Sequence, residues 1–360
     1  MRNFFSIFFF FLYFHSLTSA AVTKWSSTLP LSSQFTPTRE LEDRVEFWRK
    51  IYSEYSTRQG VFHLSEDPNF ILGEIDLTEI YENSVLNDSA KAKLANIKIK
   101  QQRESLAIKW KIKIASQIRL QMGLRDRMQK ALFLSGRYLP MMEKIFKKHG
   151  LPIELTRIVF VESSFNIRAN SKVGASGLWQ IMPSVAKPYG YMTSHYDKRN
   201  HPVYATELAA QILKANYKKL GSWPLAVTAY NHGLAGVGRM KAKAKSNQLE
   251  DLIDSNERTK SWGFASKNFY ACFLASLEVE RRANELFGKN LIQSVAANSK
   301  EYKLQRTQLK SKLLPWYNGS LTLFRQMNPH LNWASIMKHK RVPAGVPLQI
   351  PQKNYHLAIN

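Results

Sequence analysis

The chain has 360 residues, 44% of them hydrophobic, which is enough for two domains or for one domain with extensions around a sizeable core. A formal charge of +25 calls for an anionic partner: nucleic acid, an anionic membrane surface, or a cell-wall polymer that carries carboxylates. The single cysteine, Cys272, excludes an intramolecular disulfide.

The chain opens with a short basic stretch, Met1-Arg2-Asn3, followed by the apolar run from Phe4 to Phe14 and small residues from Ser16 to Ala21. That pattern predicts a secretory signal peptide over residues 1–20, cut after Ala20 or Ala21. The apolar stretch is shorter than the ~20 residues of a membrane span, so no stable membrane insertion is expected after cleavage. Export argues against a nucleic-acid partner and for the cell wall.

Residues 21–40, rich in Ser, Thr and Pro, read as a mobile lead-in. Val45, Trp48, Ile51, Tyr52 and Tyr55 then follow at helical spacings. Gly60, Pro68 and Gly73 punctuate a loop with short strand pieces. From Lys91 to Lys130 there are twelve Lys or Arg and two acids, Glu104 and Asp126. This is either a solvated helix face or a patch for an anionic substrate. Within it, residues 108–114 alternate as a strand would, but their setting favours helix, and helix is predicted. Residues 21–119 thus form a basic, mostly helical N-terminal region. Another helix spans 125–150, with a kink or break suggested by Pro140.

Leu155, Ile158, Val159 and Glu162 come next, at i, i+3, i+4 and i+7, with Pro152 suited to the first turn. On one helix face, Glu162 shares an interior with three apolar side chains and sits near the helix C-terminus. Burial and the helix dipole both raise its pKa. A carboxyl that keeps its proton near neutral pH is what a general acid needs. A solvent-facing glutamate is the plainer reading of an isolated residue, but here the neighbourhood argues otherwise. No further acid follows until Asp197, and the stretch between holds glycines, amides, hydroxyls and aromatics suited to carbohydrate.

Three blocks carry a resemblance. They are Glu162-Ser163, the run Gly174-Ala175-Ser176-Gly177-Leu178-Trp179-Gln180-Ile181-Met182-Pro183, and Ala229-Tyr230-Asn231-His232-Gly233. Together, in this order, they resemble the lytic transglycosylases with a goose-lysozyme-like domain, in particular the membrane-bound lytic murein transglycosylase D group. The resemblance covers roughly residues 120–280. It implies a mainly α fold: a goose-lysozyme-like helical catalytic domain over 120–290, a helical N-terminal extension and a small C-terminal extension over 291–360. It also implies that Glu162 is the sole catalytic acid/base, cleaving the N-acetylmuramic acid–N-acetylglucosamine bond of peptidoglycan to leave a 1,6-anhydro end. Ser171, Gln180 and Met182 match residues that line the sugar cleft. Tyr230 and Asn231 match the pair that holds the acid and the sugar. No cofactor is implied, and no metal-ligand spacing occurs.

Two departures stand out. A family tyrosine before the last catalytic helix is replaced by Phe269, and the nearest hydroxyl, Tyr270, lies one residue on, turned by about 100° on a helix. Asp197-Lys198-Arg199-Asn200-His201-Pro202 replaces a more acidic pattern, with His201 read as structural or exposed. Near the end, residues 321–329 and 342–351 resemble the second half of a LysM-type glycan-binding module, with a plain structural extension as the alternative. Two other functions stay open: a goose-type lysozyme hydrolase, and a cell-wall binding protein without activity.

Overall fold

The computed structural model describes residues 21–30, 34–254, 262–296 and 298–359. The expected signal segment, 1–20, lies outside them. The described residues are mainly helical, and their apolar side chains gather into three cores.

The largest core is built around the helix Phe264–Arg281. Apolar residues surround this helix on nearly every side, and a helix of that kind is stable only when enclosed. It packs against the helices Arg39–Ser53, Ile158–Ser163 and Trp223–His232. The helix Arg125–Lys148 runs beside them, and the break suggested by Pro140 does not occur. Buried Leu139, Met142 and Phe146 hold the chain on its helical path past the proline. The lead-in is also held. Val22–Lys24 pairs antiparallel with Ile292–Ser294, and Trp25 and Phe35 are buried in the core. Two aromatic anchors outweigh the flexible composition around them.

A second core lies under a three-stranded antiparallel sheet in which Gln59–Leu64 sits between Ile71–Asp76 and Ile118–Met122. The helix Asp88–Lys109 covers it through Ala95 and Leu106. A Cβ on Gly73 would sit 3.0 Å from a Leu106 methyl, so glycine permits this approach. The helix expected over 108–114 is corrected here: it stops at Lys109, and Lys111 turns left-handed with φ 54°. Ile108, Trp110 and Ile114 are all exposed, so no apolar stripe is available to extend the helix. Lys109, Lys111 and Lys113 share that exposed surface. Ile118–Met122 pairs back across the sequence division expected at residue 119.

The third core belongs to the C-terminal residues. Strand Ser299–Lys303 pairs antiparallel with Pro347–Pro351, and helices Leu321–Met327 and Trp333–His339 lie between them in sequence. Tyr317 and Phe324 stack at 4.3 Å inside this unit. It joins the main body through backbone bonds from Asp197 N to His330 O (2.7 Å) and from Asn332 N to His195 O (2.8 Å). No helix among the described residues is long and apolar enough to cross a membrane.

Candidate active site

The segment leading to Glu162 is shorter and tighter than the spacing alone suggests. Pro152 caps a 3-10 helix, Ile153–Arg157, which passes into the α-helix Ile158–Ser163. Leu155, Ile158 and Val159 are fully buried, as their spacing predicts. The helix then stops abruptly because Ser164 and Phe165 both take left-handed backbone conformations, φ 50° and 57°. Such conformations cost non-glycine residues roughly 1–2 kcal/mol each. Packing offsets that cost: the Phe165 ring is buried edge-on to Phe160 at 4.8 Å.

Arg157 anchors the helix from below. Its guanidinium is fully buried and meets Glu280 through two bonds, Nε to Oε2 at 2.7 Å and Nη2 to Oε1 at 2.8 Å. Nη1 donates to Glu143 Oε1 at 2.6 Å, and Nη2 to Thr28 Oγ1 at 2.7 Å. The network ties the acid-bearing segment to the two long helices and the lead-in at once.

The loop after the helix is stitched to it. Ser163 Oγ donates to Leu178 O at 2.8 Å. Gly177 N donates to Ala169 O at 2.9 Å, and Gly177 has φ +78°. A Cβ there would lie 2.2 Å from Arg199 O, so only glycine fits. Arg199 grips Asp197 with Nε and Nη2, and donates through Nη1 to Gly174 O at 2.6 Å and Ile181 O at 2.9 Å. Arg199 thus closes the loop around its own backbone, a role that composition did not reveal. Trp179 is core: it is fully buried, stacked on Phe146 at 5.5 Å, with Nε1 donating to Thr206 Oγ1.

Glu162 is partly buried, and that burial pushes its pKa up to about 8. Tyr230 stands beside it. Its phenol pKa is raised well above the ordinary value, first by burial and then by the Glu162 charge. Its hydroxyl donates to Trp179 O at 2.8 Å, next to the Leu178 carbonyl that Ser163 holds, so Tyr230 is tied to the same loop as the acid-bearing helix. Glu162 and Tyr230 are therefore brought together.

The other expected site residues fall differently. Ser171 is partly buried, with Oγ accepting from Ala175 N at 2.8 Å. Gln180 takes φ 46° and donates from Nε2 to Ala169 O (3.0 Å) and Gly177 O (2.9 Å). Met182, partly buried, precedes Pro183 at the start of the short helix Pro183–Ala186. Asn231 is exposed next to Tyr230. Tyr270 is 3% exposed in the core, and the charge that bears on it is that of Glu250, not Glu162. His201 is buried, its ring 4.5 Å from that of His330 at the junction with the C-terminal unit. Among the described residues, no group of three or more His, Cys, Asp or Glu side chains is arranged to hold a metal.

Tyr52, which the sequence pattern marked only as one helical position among several, is buried in the core. Burial raises its phenol pKa, followed by effects of Cys272 and of the Glu162 charge.

Residues 141–253 match the transglycosylase SLT domain family. Over 104 residues the chain is 38% identical to membrane-bound lytic murein transglycosylase D of Escherichia coli K12, covering 28% of this chain and 22% of that protein. Over 89 residues it is 39% identical to the transglycosylase of Enterobacteria phage PRD1, covering 25% of this chain and 31% of that one. The chain therefore spans less than a third of either relative. The 70 kDa soluble lytic transglycosylase of Escherichia coli superposes on 46% of this chain and 27% of its own, at 19% identity and a TM-score of 0.34.

Proposed function

We propose that this chain is a lytic transglycosylase that cleaves the bond between N-acetylmuramic acid and N-acetylglucosamine in peptidoglycan without adding water. The observation that carries the reading is Glu162: a carboxyl with its pKa raised to about 8, inside a segment that matches the transglycosylase SLT domain. At neutral pH it holds the proton that the glycosidic oxygen needs. That proton transfers as the bond to C1 of the muramyl sugar breaks, and N-acetylglucosamine leaves with its hydroxyl restored. Glu162, now a carboxylate, takes the proton from the muramyl C6 hydroxyl, whose oxygen closes on C1. The enzyme ends as it began, and the product carries a 1,6-anhydro ring. Tyr230 keeps the acid in place, while Ser171, Gln180, Met182 and Asn231 line the path of the glycan.

The wider reading follows the same line. Residues 1–20 direct export, and the enzyme works in the periplasm on glycan strands. Exposed Lys109, Lys111 and Lys113 face the anionic polymer. The C-terminal unit has a core of its own, which supports a separate LysM-like glycan-binding module over a plain structural extension.

The test is mass spectrometry of muropeptides released from purified peptidoglycan. Anhydro ends, lighter by one water than hydrolytic ends, are the expected product; reducing ends as the main product would make this a goose-type lysozyme. Glu162→Gln keeps the shape but not the proton. It should cut the rate ~10²–10⁴-fold while leaving binding to sacculi intact. A mutant that kept its activity would place the acid elsewhere.

A further inference from the structure

Beyond the short helix Pro183–Ala186 the chain folds back on itself and gathers aromatic rings around one cation. Tyr191 N donates to Ala186 O at 3.3 Å, and Lys198 N to Tyr191 O at 2.8 Å, so residues 191–198 form a tight return. One end is fixed by the next residue, Arg199, whose Nη1 donates to Ile181 O at 2.9 Å, beside Met182. The tip is held by the C-terminal unit, through Asn332 N to His195 O at 2.8 Å. The return therefore stands where the loop that follows Glu162 meets that unit.

Lys198 reaches into the cluster. Its Nζ lies 4.3 Å from the ring centre of Tyr204, 5.2 Å from that of Tyr196 and 5.8 Å from that of Tyr191. Tyr189, 52% exposed, extends the cluster with its ring 6.1 Å from that of Tyr191. Ring faces attract an ammonium but do not replace acceptors for its three N–H donors. Among the described residues, none pairs with Nζ as an ion. Asp197 is held by Arg199 Nη2 at 2.7 Å, and Glu301 accepts from the Tyr204 hydroxyl at 2.7 Å and from Gln349 Nε2 at 3.2 Å. Burial lowers the Lys198 pKa, with Glu301 opposing the drop and Lys303 adding to it. Lys198, Tyr191, Tyr196 and Tyr204 are each half-buried, which leaves the cluster open to solvent on one side.

We propose that Lys198 is a substrate-binding residue: its ammonium pairs with a carboxylate carried by the glycan strand, and the tyrosines beside it pack against the sugars. The carboxylate is that of the peptide stem or, where the stem is gone, that of the lactyl group on N-acetylmuramic acid. N-acetylglucosamine carries none, so the contact reads the muramyl side of the polymer. The inference rests on peptidoglycan being the substrate, and it names the group on that substrate which this chain selects.

Lys198→Met tests this, because the methionine fills the space among the rings and carries no charge. Binding is measured in the Glu162→Gln background, with the melting temperature taken alongside. Three probes are used: glycan strands with stems, strands stripped of stems so that lactyl carboxylates are free, and a neutral N-acetylglucosamine oligomer. Lys198→Met should weaken binding of a carboxylate-bearing strand about fivefold, the worth of a partly exposed ion pair. It should also flatten the salt dependence of that binding and leave the neutral oligomer unaffected. Lys198→Arg should restore the binding. Loss on stem-bearing strands alone assigns the stem carboxylate, loss on stripped strands alone the lactyl one, and loss on both a site that takes either. Equal weakening on all three probes, or no weakening on any, would overturn the proposal. The parent reading is tested by the same data. If the Glu162→Gln protein binds no glycan strand, the peptidoglycan reading fails and this inference with it. If it binds strands and Lys198→Met changes nothing, only the present inference fails.

Discussion

At Glu162, burial holds the proton on the carboxyl up to about pH 8, against an ordinary value of 4.5. For activity the consequence is direct. Turnover per unit of free enzyme should stay level through neutrality and fall about tenfold per pH unit above 8, as the acid form is lost. For stability the sign is opposite to that of a salt-bridged acid. Between pH 4.5 and 8 the folded chain keeps a proton that the unfolded chain has released. Stability from this group is therefore complete below about 4.5 and is lost as the pH rises toward 8. Each pKa unit corresponds to about 1.4 kcal/mol, so the loss reaches a few kcal/mol at most in a partly exposed residue. Glu162→Gln, which has nothing to ionise, should match the parent protein near pH 4 and exceed it near pH 8. Urea unfolding at the two pH values measures the difference; equal differences at both would mean the carboxyl is not desolvated. The raised pKa was legible in the sequence, because three apolar neighbours at helical spacing force the burial.

The element that carries the acid, Ile153–Ser163, is too short to hold its place by helix formation alone. Arg157 supplies the anchor by joining Glu143 and Glu280, both buried. Arg157→Met would leave two carboxylates in the interior without a countercharge. The expected cost is ~3–5 kcal/mol, read as a shift in the urea midpoint. Neutralising both acids as well, with Glu143→Gln and Glu280→Gln, should restore much of that loss. If the single variant is as stable as the parent, the network does not anchor the helix. The helices themselves were readable from apolar spacing, including Arg125–Lys148. Their ends and breaks were less so. Pro140 suggested a break that packing prevents, and residues 108–114 read as helix although Ile108, Trp110 and Ile114 stay exposed. The lead-in looked mobile because its anchoring strand, Ile292–Ser294, lies at the far end of the sequence. The grip of Arg199 on its loop was hidden for a related reason: it is made to backbone carbonyls, which leave no mark on side-chain pattern.

At the scale of the whole molecule, the C-terminal unit meets the main body through a pair of buried histidines, and that junction should respond to acid. His201 and His330 are each 1% exposed, with ring centres 4.5 Å apart. His330 Nε2 bonds to Pro347 O at 2.8 Å, and His201 Nε2 lies 3.1 Å from Gln349 Nε2. Burial lowers both pKa values. His330 falls to about 4, with Lys198 adding to the drop while Pro347 and Asp197 oppose it. His201 falls well below its ordinary value, with His330 and Lys198 adding to the effect. The His330 ring is thus neutral in the folded chain at pH 5, where the unfolded chain binds protons, and burial pushes His201 in the same direction. The stability they contribute is complete above the ordinary histidine value of 6.5 and is lost as the pH falls toward 4. This slope is opposite to that of Glu162, so His330→Gln is needed to isolate it. The glutamine removes the titrating ring and retains a donor for Pro347. Hydrogen exchange of residues 194–201 and 328–332, at pH 7 and pH 5, follows the junction directly. In the parent protein, protection there should weaken at pH 5, with the His330 ring alone accounting for about 2 kcal/mol, the equivalent of one and a half pKa units, after correction for intrinsic exchange. In His330→Gln the change should be markedly smaller. Equal protection at both pH values in the parent would show that the two units are not held together by neutral, buried imidazoles.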